Sequence, residues 1–316
     1  MSYYIGVDGG GTKTTYALFN ETKRLLGSLT GKGSNHENMA GGIPQAAGTI
    51  SEGLHALLHQ EGKTQEEISF LLMGLAGIDH PYQHDAMCGE LQARGWKHFE
   101  IYNDGFIVVK AGASGPAAIG YNTGTGTCCN AIDSRGNRMQ LGGLGNATAD
   151  KGNSVWITEQ VFRIVYDDVF LHKRESLLTK LYYQAFSISS RDEFLSTIAQ
   201  AESGQADAYF HTLTDLFFEA VAQRDKAALE TLNDMAERGS DLIAALANQM
   251  DFDSSPIEVV LSGSMHTKLA PVGYRSLLQA KSELKSGRAM RFLLLDRPPV
   301  YGCINWILER KEGKGQ

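Results

Sequence analysis

Residues 4–19 constrain the fold of this chain most strongly, because an apolar run is interrupted by three glycines and then resumes. The first run ends at Asp8, and a Thr-Lys-Thr sequence after the glycines leads into a second, alternating run. Apolar and β-branched runs on both sides of a glycine cluster predict a β-hairpin. Walker A loops and dinucleotide-binding loops open a helix instead, so both are disfavoured.

The tip of this hairpin is a predicted phosphate site. Glycines let an anion approach the backbone closely, and consecutive backbone N–H groups attract phosphate. Asp8 at the end of the first strand is a candidate ligand for Mg²⁺, directly or through water. A tight turn that needs glycine only for its backbone conformation is the alternative interpretation.

Composition and charge limit the class of protein. The 316 residues suffice for two domains, and 42% hydrophobic with 21% charged residues is typical of a globular protein. A net charge of −7 without a Lys/Arg cluster argues against a nucleic-acid partner. No apolar run approaches the ~18 residues of a membrane span, and no signal peptide is visible. Four cysteines without C-x-x-C spacing favour free thiols, so we expect a cytoplasmic protein with no membrane partner.

The order of the predicted elements indicates an α/β fold with an internal repeat. Up to about residue 115 we predict three strands, a helix, a strand, a helix, a strand and a helix. From residue 117 a strand, a Gly/Thr turn at 123–127 and two strands repeat the opening arrangement. Apolar residues then follow helical spacing over 156–250. Strands at 257–261 and 291–295 and a helix at 300–309 complete the pattern.

Six polar stretches follow predicted strands and are rich in Gly, Ser, Thr, Asn or Asp. They span residues 8–14, 34–36, 103–105, 123–127, 142–154 and 262–264. Ligands of open α/β sheets bind at the carboxyl ends of strands. The pattern therefore predicts a cleft between two similar domains, with one Gly/Thr hairpin from each facing the phosphates of a ligand.

Asp104 is the leading candidate for a catalytic residue. It ends a predicted strand and starts a predicted helix, so its carboxylate is expected to face the cleft and could also cap the helix, and a plain helix cap is the alternative interpretation. Opposite a phosphate site it would be a general base for an attacking hydroxyl. Asp150 is a second candidate, for which helix capping is an equally good explanation. His36 is predicted to be a hydrogen-bond partner in a loop, because no second ligand lies at metal-site spacing.

The motifs occur in the order seen in N-acetylglucosamine kinases. They are Val-Asp-Gly-Gly-Gly-Thr-Lys at 7–13, Ser-Asn-His at 34–36, Asp104, Thr-Gly-Thr-Gly at 123–126, Gly-Gly-Leu-Gly at 142–145, Asp150 and Gly-Ser at 263–264. From about residue 3 to residue 310, the chain resembles those kinases. It also resembles the wider BadF/BadG/BcrA/BcrD ATPase family of the actin/hexokinase/Hsp70 superfamily.

The resemblance implies two RNase-H-like domains that close over ATP and an amino sugar. They would comprise residues 1–115 and 116–298, with a helical region at about 155–250 in the second and a C-terminal helix at about 299–316 packing on the first. It also implies ATP and Mg²⁺ as cofactors, phosphate transfer to the sugar's 6-hydroxyl, Asp104 as the base, and a homodimer. The implied ATP contacts are Gly10, Gly11, Thr12, Lys13, Thr125, Gly263 and Ser264. The implied sugar contacts are Asn35, Thr127, Gly143, Gly145, Asn146 and Asp150.

Two departures from the family's motifs leave the sugar open. Gly-Asp-Glu-Gly-Ser is replaced by Ala-Asp-Lys-Gly-Asn at 149–153, and a Ser-Asn pair is replaced by Thr127 and Cys128. The substrate could be N-acetylglucosamine, glucosamine or N-acetylmuramic acid, whose carboxylate Lys151 would suit. A non-catalytic sugar or nucleotide sensor is a further alternative. An ATP-driven iron–sulfur electron activator is the least favoured, because adjacent Cys128 and Cys129 point to opposite faces of a strand.

Overall fold

A computed structural model of the protein describes residues 2–202 and 206–313. The first sheet has strand order β3-β2-β1-β4-β5. Its strands are β1 Tyr3–Gly9, β2 Lys13–Asn20, β3 Leu25–Lys32, β4 Ile68–Leu75 and β5 Phe99–Tyr102. Its helices are α1 Gly42–Gln60, α2 Pro81–Ala93 and α3 Asp104–Gly112. β1, β2 and β3 form an antiparallel meander, and β4 and β5 add to it in parallel.

The second sheet repeats this topology, with strand order β10-β9-β6-β7-β8. Its strands are β6 Ala118–Thr123, β7 Thr127–Ile132, β8 Arg138–Gly142, β9 Ile257–Ser262 and β10 Met290–Leu294. β6, β7 and β8 form the meander, and β9 and β10 are the parallel additions. The predicted hairpins and the architectural repeat are therefore confirmed.

Between β8 and β9 the chain is largely helical, as the apolar spacing predicts. The helices are α4 Ser154–Val169, α5 Leu177–Phe186, α6 Arg191–Ser196, α7 Ile198–Glu202, α8 Ala206–Ala222 and α9 Lys226–Gln249. Residues 203–205 of the predicted helical region lie outside the described residues. After β9 come α10 Ser264–Lys268 and α11 Tyr274–Ser286. Apolar side chains of these helices and of the second sheet form one continuous core.

The helix α3 lies between the two sheets. Gly74 on β4 has no side chain where Ile107 packs, and a Cβ there would lie 2.6 Å from the Ile107 Cδ1. Gly120 on β6 likewise leaves room for Val109, since a Cβ at Gly120 would lie 2.9 Å from the Val109 Cγ2. Because α3 touches both sheets, its first residue, Asp104, lies where they meet.

The final helix, α12 Tyr301–Gly313, packs on the first sheet and on α3. A Cβ at Gly302 would lie 1.9 Å from the Ile107 carbonyl oxygen, so only glycine allows this approach. The Lys110 Nζ lies 2.7 Å from the Glu309 carboxylate. Residues 314–316 of the predicted C-terminal helix lie outside the described residues, and the domain boundary near residue 115 stays a prediction.

No helix within residues 2–202 and 206–313 combines the length and apolar composition that crossing a membrane requires.

Candidate active site

A cavity of about 570 Å³ lies between the two sheets, within the usual size range of small-molecule sites. Thirteen of the fifteen predicted site residues line it. They are Asp8, Gly10, Gly11, Thr12, Lys13, Asn35, Asp104, Thr125, Thr127, Gly143, Gly145, Asn146 and Asp150. The two others, Gly263 and Ser264, are not lining residues.

The first hairpin offers unoccupied backbone donors. The tip closes with a hydrogen bond from the Gly10 N–H to the Lys13 carbonyl at 3.0 Å. The N–H groups of Gly11 and Thr12 donate to no described residue, and both residues are exposed. Gly33 packs on this tip so closely that a Cβ would lie 2.2 Å from the Gly11 carbonyl oxygen. Free N–H groups beside Lys13 suit a phosphate.

The second hairpin is built the same way. The Gly124 N–H donates to the Gly126 carbonyl at 2.9 Å, while the N–H groups of Thr125 and Gly126 donate to no residue that the structure describes. The Gly124 carbonyl in turn accepts the Ser154 N–H at 2.9 Å, which joins the turn to the start of α4. Two hairpin tips with free donors thus face one cavity.

Gly263 lies behind the second hairpin. Its φ is +101°, and a Cβ would lie 2.0 Å from the Thr123 carbonyl oxygen, so glycine is required there. The Nε2 of His266, two residues into α10, lies 2.5 Å from the Thr123 Oγ1. This segment supports the hairpin from outside the cavity.

Asp104 is the first residue of α3, and it is not the helix cap. Asn103 caps α3, because its Oδ1 accepts the Gly105 N–H at 2.9 Å. The capping interpretation of Asp104 is therefore wrong, and its carboxylate borders the cavity instead. Burial, and the charges of Asp8 and Asp79, raise the pKa of Asp104 to about 7. A carboxyl with this pKa is suited to exchange a proton near neutral pH.

Asp150 does not cap α4 either. Asn153 caps that helix through the Trp156 N–H at 2.9 Å. The Asp150 Oδ2 accepts the N–H groups of Gly143 and Gly145, both at 2.9 Å. Its Oδ1 accepts the Thr148 hydroxyl, also at 2.9 Å. Asp150 therefore fixes the loop that follows β8.

The loop that follows β3 borders the opposite wall. The Ser34 and Asn35 N–H groups donate to the Gly10 carbonyl at 3.0 and 3.3 Å, which ties this loop to the first hairpin. The Asn35 Oδ1 accepts the Glu37 N–H at 3.0 Å. His36 Nε2 lies 3.4 Å from the Gln83 Nε2, which agrees with a hydrogen-bonding role.

Lys151 lies away from the cavity. It is not a lining residue, and its Nζ lies 3.7 Å from the Asp234 Oδ2. The same Nζ lies 5.9 Å from the centre of the Trp156 ring. The idea that Lys151 would bind a carboxylate-bearing sugar is not supported by this placement.

Three further polar residues near the cavity, Asp79, Gln140 and Asn130, were not predicted from the sequence. The Asp79 Oδ1 accepts the Gln140 Nε2 at 2.5 Å and the Asn103 Nδ2 at 3.0 Å. Asp79 and Gln140 both line the cavity. The position of Asp79 could have been predicted from the sequence, because Asp79 comes shortly after the buried strand β4, just as the other polar stretches come shortly after predicted strands.

The Asp8 carboxylate is suited to be a ligand of Mg²⁺. Burial raises the pKa of Asp8 to about 6, against the opposing effect of Lys13, and the carboxylate accepts no hydrogen bond from a described residue. No group of three or more His, Cys, Asp or Glu side chains is placed to hold a metal in the described part of the chain. Mg²⁺ needs no such cage, since one or two carboxylates suffice when phosphates and water complete its coordination.

The sequence and the fold both match known proteins. A sequence model of the BadF/BadG/BcrA/BcrD ATPase family matches residues 5–276. The N-acetyl-D-glucosamine kinase of Dictyostelium discoideum is 22% identical over 79% of this chain and 81% of its own. The N-acetylmuramic acid/N-acetylglucosamine kinase of Clostridium acetobutylicum is 21% identical over 84% of this chain and 86% of its own. A crystal structure from Chromobacterium violaceum, solved as a candidate N-acetylglucosamine kinase, covers 98% of this chain and 99% of its own with a TM-score of 0.71 and 20% identity.

Proposed function

The chain belongs to the BadF/BadG/BcrA/BcrD ATPase family, and we propose that it is an ATP-dependent kinase that phosphorylates an amino sugar, N-acetylglucosamine or a close relative, at the 6-hydroxyl. One observation supports this most. Two hairpin tips with free N–H groups share a cavity with Asp104, a carboxyl whose pKa is raised to about 7. The names of the two kinase relatives, matched over most of the chain, agree with it.

The nucleotide end of the cavity comprises the two hairpins. Gly10, Gly11, Thr12 and Lys13 would hold phosphate oxygens from one sheet, and Thr125 would do so from the other. Gly263 and Ser264 do not line the cavity, so their proposed part is to support the second hairpin and to border the nucleotide base. Asp8 would hold Mg²⁺, which neutralises phosphate charge when it is bound.

The sugar end comprises the loops after β3 and β8. Asn35 and Asn146 would offer amide groups to sugar hydroxyls. Thr127 would contribute a hydroxyl that is oriented by its bonds to the Lys151 carbonyl at 3.2 Å and the Asn153 Nδ2 at 3.4 Å. Asp150 presents Gly143 and Gly145 by accepting their N–H groups. Its carboxylate is largely occupied by these bonds, so much of its effect on the sugar would come through the loop.

Asp104 would act as the general base. Its carboxylate accepts the proton of the sugar 6-hydroxyl while that oxygen bonds to the γ-phosphorus of ATP. The bond from the γ-phosphorus to the bridging oxygen breaks, and ADP leaves. Most of the rate enhancement would come from positioning and charge stabilisation, since phosphoryl transfer asks for little covalent chemistry from the protein.

Charges in the cavity favour a neutral or cationic sugar over an acidic one. Six carboxylate residues line it, and Lys13 is their basic counterpart among the described lining residues. Lys13 belongs to the nucleotide end, and Lys151 is directed to Asp234. A sugar carboxylate would therefore face like charges without a cation. We place N-acetylglucosamine and glucosamine before N-acetylmuramic acid.

A screen of sugar-dependent ADP release tests the proposal. The sugars are N-acetylglucosamine, glucosamine, N-acetylmannosamine, N-acetylmuramic acid and glucose, each with ATP and Mg²⁺. We expect the highest kcat/KM with N-acetylglucosamine or glucosamine. If no sugar raises ADP release above the basal rate, the kinase proposal fails.

A sugar or nucleotide sensor is the second candidate, because Cys128, which departs from the motif of the family that the chain resembles, lines the cavity. Tight sugar binding in calorimetry without ADP release would support the sensor. The electron activator remains the least supported alternative. Cys128 and Cys129 are both buried neighbours on β7, and a colourless, iron-free purified protein would exclude it.

A further inference from the structure

Four polar side chains beside the start of α3 form a closed ring of hydrogen bonds, here named the cleft ring. Its members are Asp79, Asn103, Asn130 and Gln140. The Asp79 Oδ1 accepts from Gln140 at 2.5 Å and from Asn103 at 3.0 Å. The Asn130 Nδ2 donates to the Asn103 Oδ1 and to the Gln140 Oε1, both at 3.2 Å, which closes the ring.

The cleft ring joins the two sheets. Asp79 follows β4 and Asn103 follows β5, so both belong to the first sheet's edge of the cavity. Asn130 on β7 and Gln140 on β8 are direct register partners in the second sheet. Two of the four bonds, Gln140 to Asp79 and Asn130 to Asn103, cross from the second sheet to the first.

The ring also contacts the residues on both sides of Asp104. The Asn103 Oδ1, a member of the ring, accepts the Gly105 N–H at 2.9 Å and so caps α3. On the other side, Gly105 lies against Asn130, where a Cβ would be only 2.0 Å from the Asn130 Oδ1. Asp104 lies between these two anchored residues, so the ring holds the backbone from which its carboxylate extends.

We propose that Asp79 is a positioning residue for the catalytic base, acting through the cleft ring to hold Asp104 in place against both sheets. The proposal rests on the proposed kinase function. The ring is a network in which each bond orients the next, so loss of one member loosens the others. Misplacing a reacting group by about 1 Å can lower turnover by about 100-fold.

The test is a double-mutant cycle across the cleft. Asp79→Ala and Gln140→Ala remove the two ends of one cross-sheet bond. Each is expected to lower kcat about 10- to 100-fold, with the KM for ATP changed by less than about threefold. The double variant is expected to be no slower than the slower single variant, because both break the same ring. Asp79→Asn keeps the acceptor oxygen and should retain kcat within about tenfold of wild type.

Asp133→Ala is the matched control. Asp133 is also buried, and its carboxylate accepts the N–H groups of Arg135 and Asn137, but it lies at the other end of β7. The Asp133→Ala variant should have a lower Tm than wild type and an unchanged kcat. If Asp79→Ala behaves like this control, or if the two losses of kcat multiply in the double variant, the positioning role is overturned. The same holds if Asp79→Asn is as slow as Asp79→Ala.

Failure of the cleft-ring proposal can be distinguished from failure of the kinase proposal. Wild-type protein without sugar-dependent ADP release would contradict the kinase proposal, and with it any role of Asp79 in positioning a base. In that case the Tm values of wild type, Asp79→Ala, Gln140→Ala and the double variant still test the ring. A double variant whose Tm is no lower than that of the less stable single variant supports the ring, whereas additive decreases in Tm contradict it.

Discussion

The two ends of the cavity are built in different ways. At the end proposed to bind the nucleotide, hairpin tips present backbone N–H groups that donate to no described residue, beside the exposed Lys13. At the end proposed to bind the sugar, carboxylates are already occupied, as Asp150 is by Gly143 and Gly145. A phosphate can bind to free donors with little adjustment of the protein. Discrimination among sugars needs polar groups held in fixed directions, which the occupied carboxylates provide.

Asp104 lies between the two ends, and its removal should have the largest effect. Asp104→Ala is expected to lower kcat by about 100- to 10,000-fold, because it removes the proposed general base. The affinity for ATP, measured by calorimetry, should stay within about threefold, since the hairpins are untouched. Near-normal turnover in this variant would exclude Asp104 as the base.

Asp150→Ala should affect the sugar end alone. It removes the acceptor of two backbone N–H groups, and each charge-assisted bond contributes about 1.5–3 kcal/mol. We expect the KM for the sugar to rise about 10- to 100-fold while the KM for ATP is unchanged. Equal rises of both KM values would show that the two ends are not separable in this way.

Gly33→Ala is the corresponding test at the end of the cavity proposed to bind the nucleotide. Its Cβ would lie 2.2 Å from the Gly11 carbonyl oxygen, so the tip must shift. Overpacking of this kind costs about 1–3 kcal/mol, and we expect the KM for ATP to rise about tenfold with an unchanged KM for the sugar. Gly48→Ala in α1 is the control, because a Cβ there meets no atom within 4 Å, and it should leave both KM values unchanged.

The pH dependence of kcat/KM should follow the ionisation of Asp104. A base acts in its ionised form, and its pKa of about 7 means that the carboxyl is about half protonated near neutral pH and increasingly protonated below it. The kcat/KM for the sugar should therefore fall about tenfold for each pH unit below 7. A profile that stays flat to pH 5.5 would assign the base to a group with an ordinary carboxyl pKa.

The same shift predicts a stability effect that does not depend on turnover. The pKa of Asp104 is raised on folding from 3.8 to about 7, so the fold favours the neutral carboxyl. Its contribution to stability is complete below pH 3.8 and is lost as the pH rises through about 7. Asp104→Asn should therefore raise the Tm relative to wild type at pH 8 and change it less at pH 4.

Local patterns in the sequence explain why so much of the fold was predictable. The strand–glycine–strand pattern around Asp8 and its echo at Thr125 depend on neighbouring residues, and these specify hairpins directly. The helical region follows from apolar spacing in the same way. The strand-end rule then placed most of the site residues in one cleft, since strands of similar topology end at the same edge.

Contacts between distant residues explain what the sequence did not reveal. The capping residues of α3 and α4 are Asn103 and Asn153, each one residue before its helix, and a sequence cannot tell which neighbouring polar side chain turns back to the helix. The direction of Lys151 depends on Asp234. The cleft ring joins residues such as Asp79 and Gln140, which are 61 positions apart.

The position of the phosphate on the product tests the central claim most directly. N-acetylglucosamine is incubated with ATP, Mg²⁺ and the protein, and the product is analysed by ³¹P–¹H correlation NMR. Our account predicts one equivalent of ADP for each sugar phosphate, with the phosphorus coupled to the two protons on C6. A phosphate on another carbon, or ADP formed without any sugar phosphate, would contradict it.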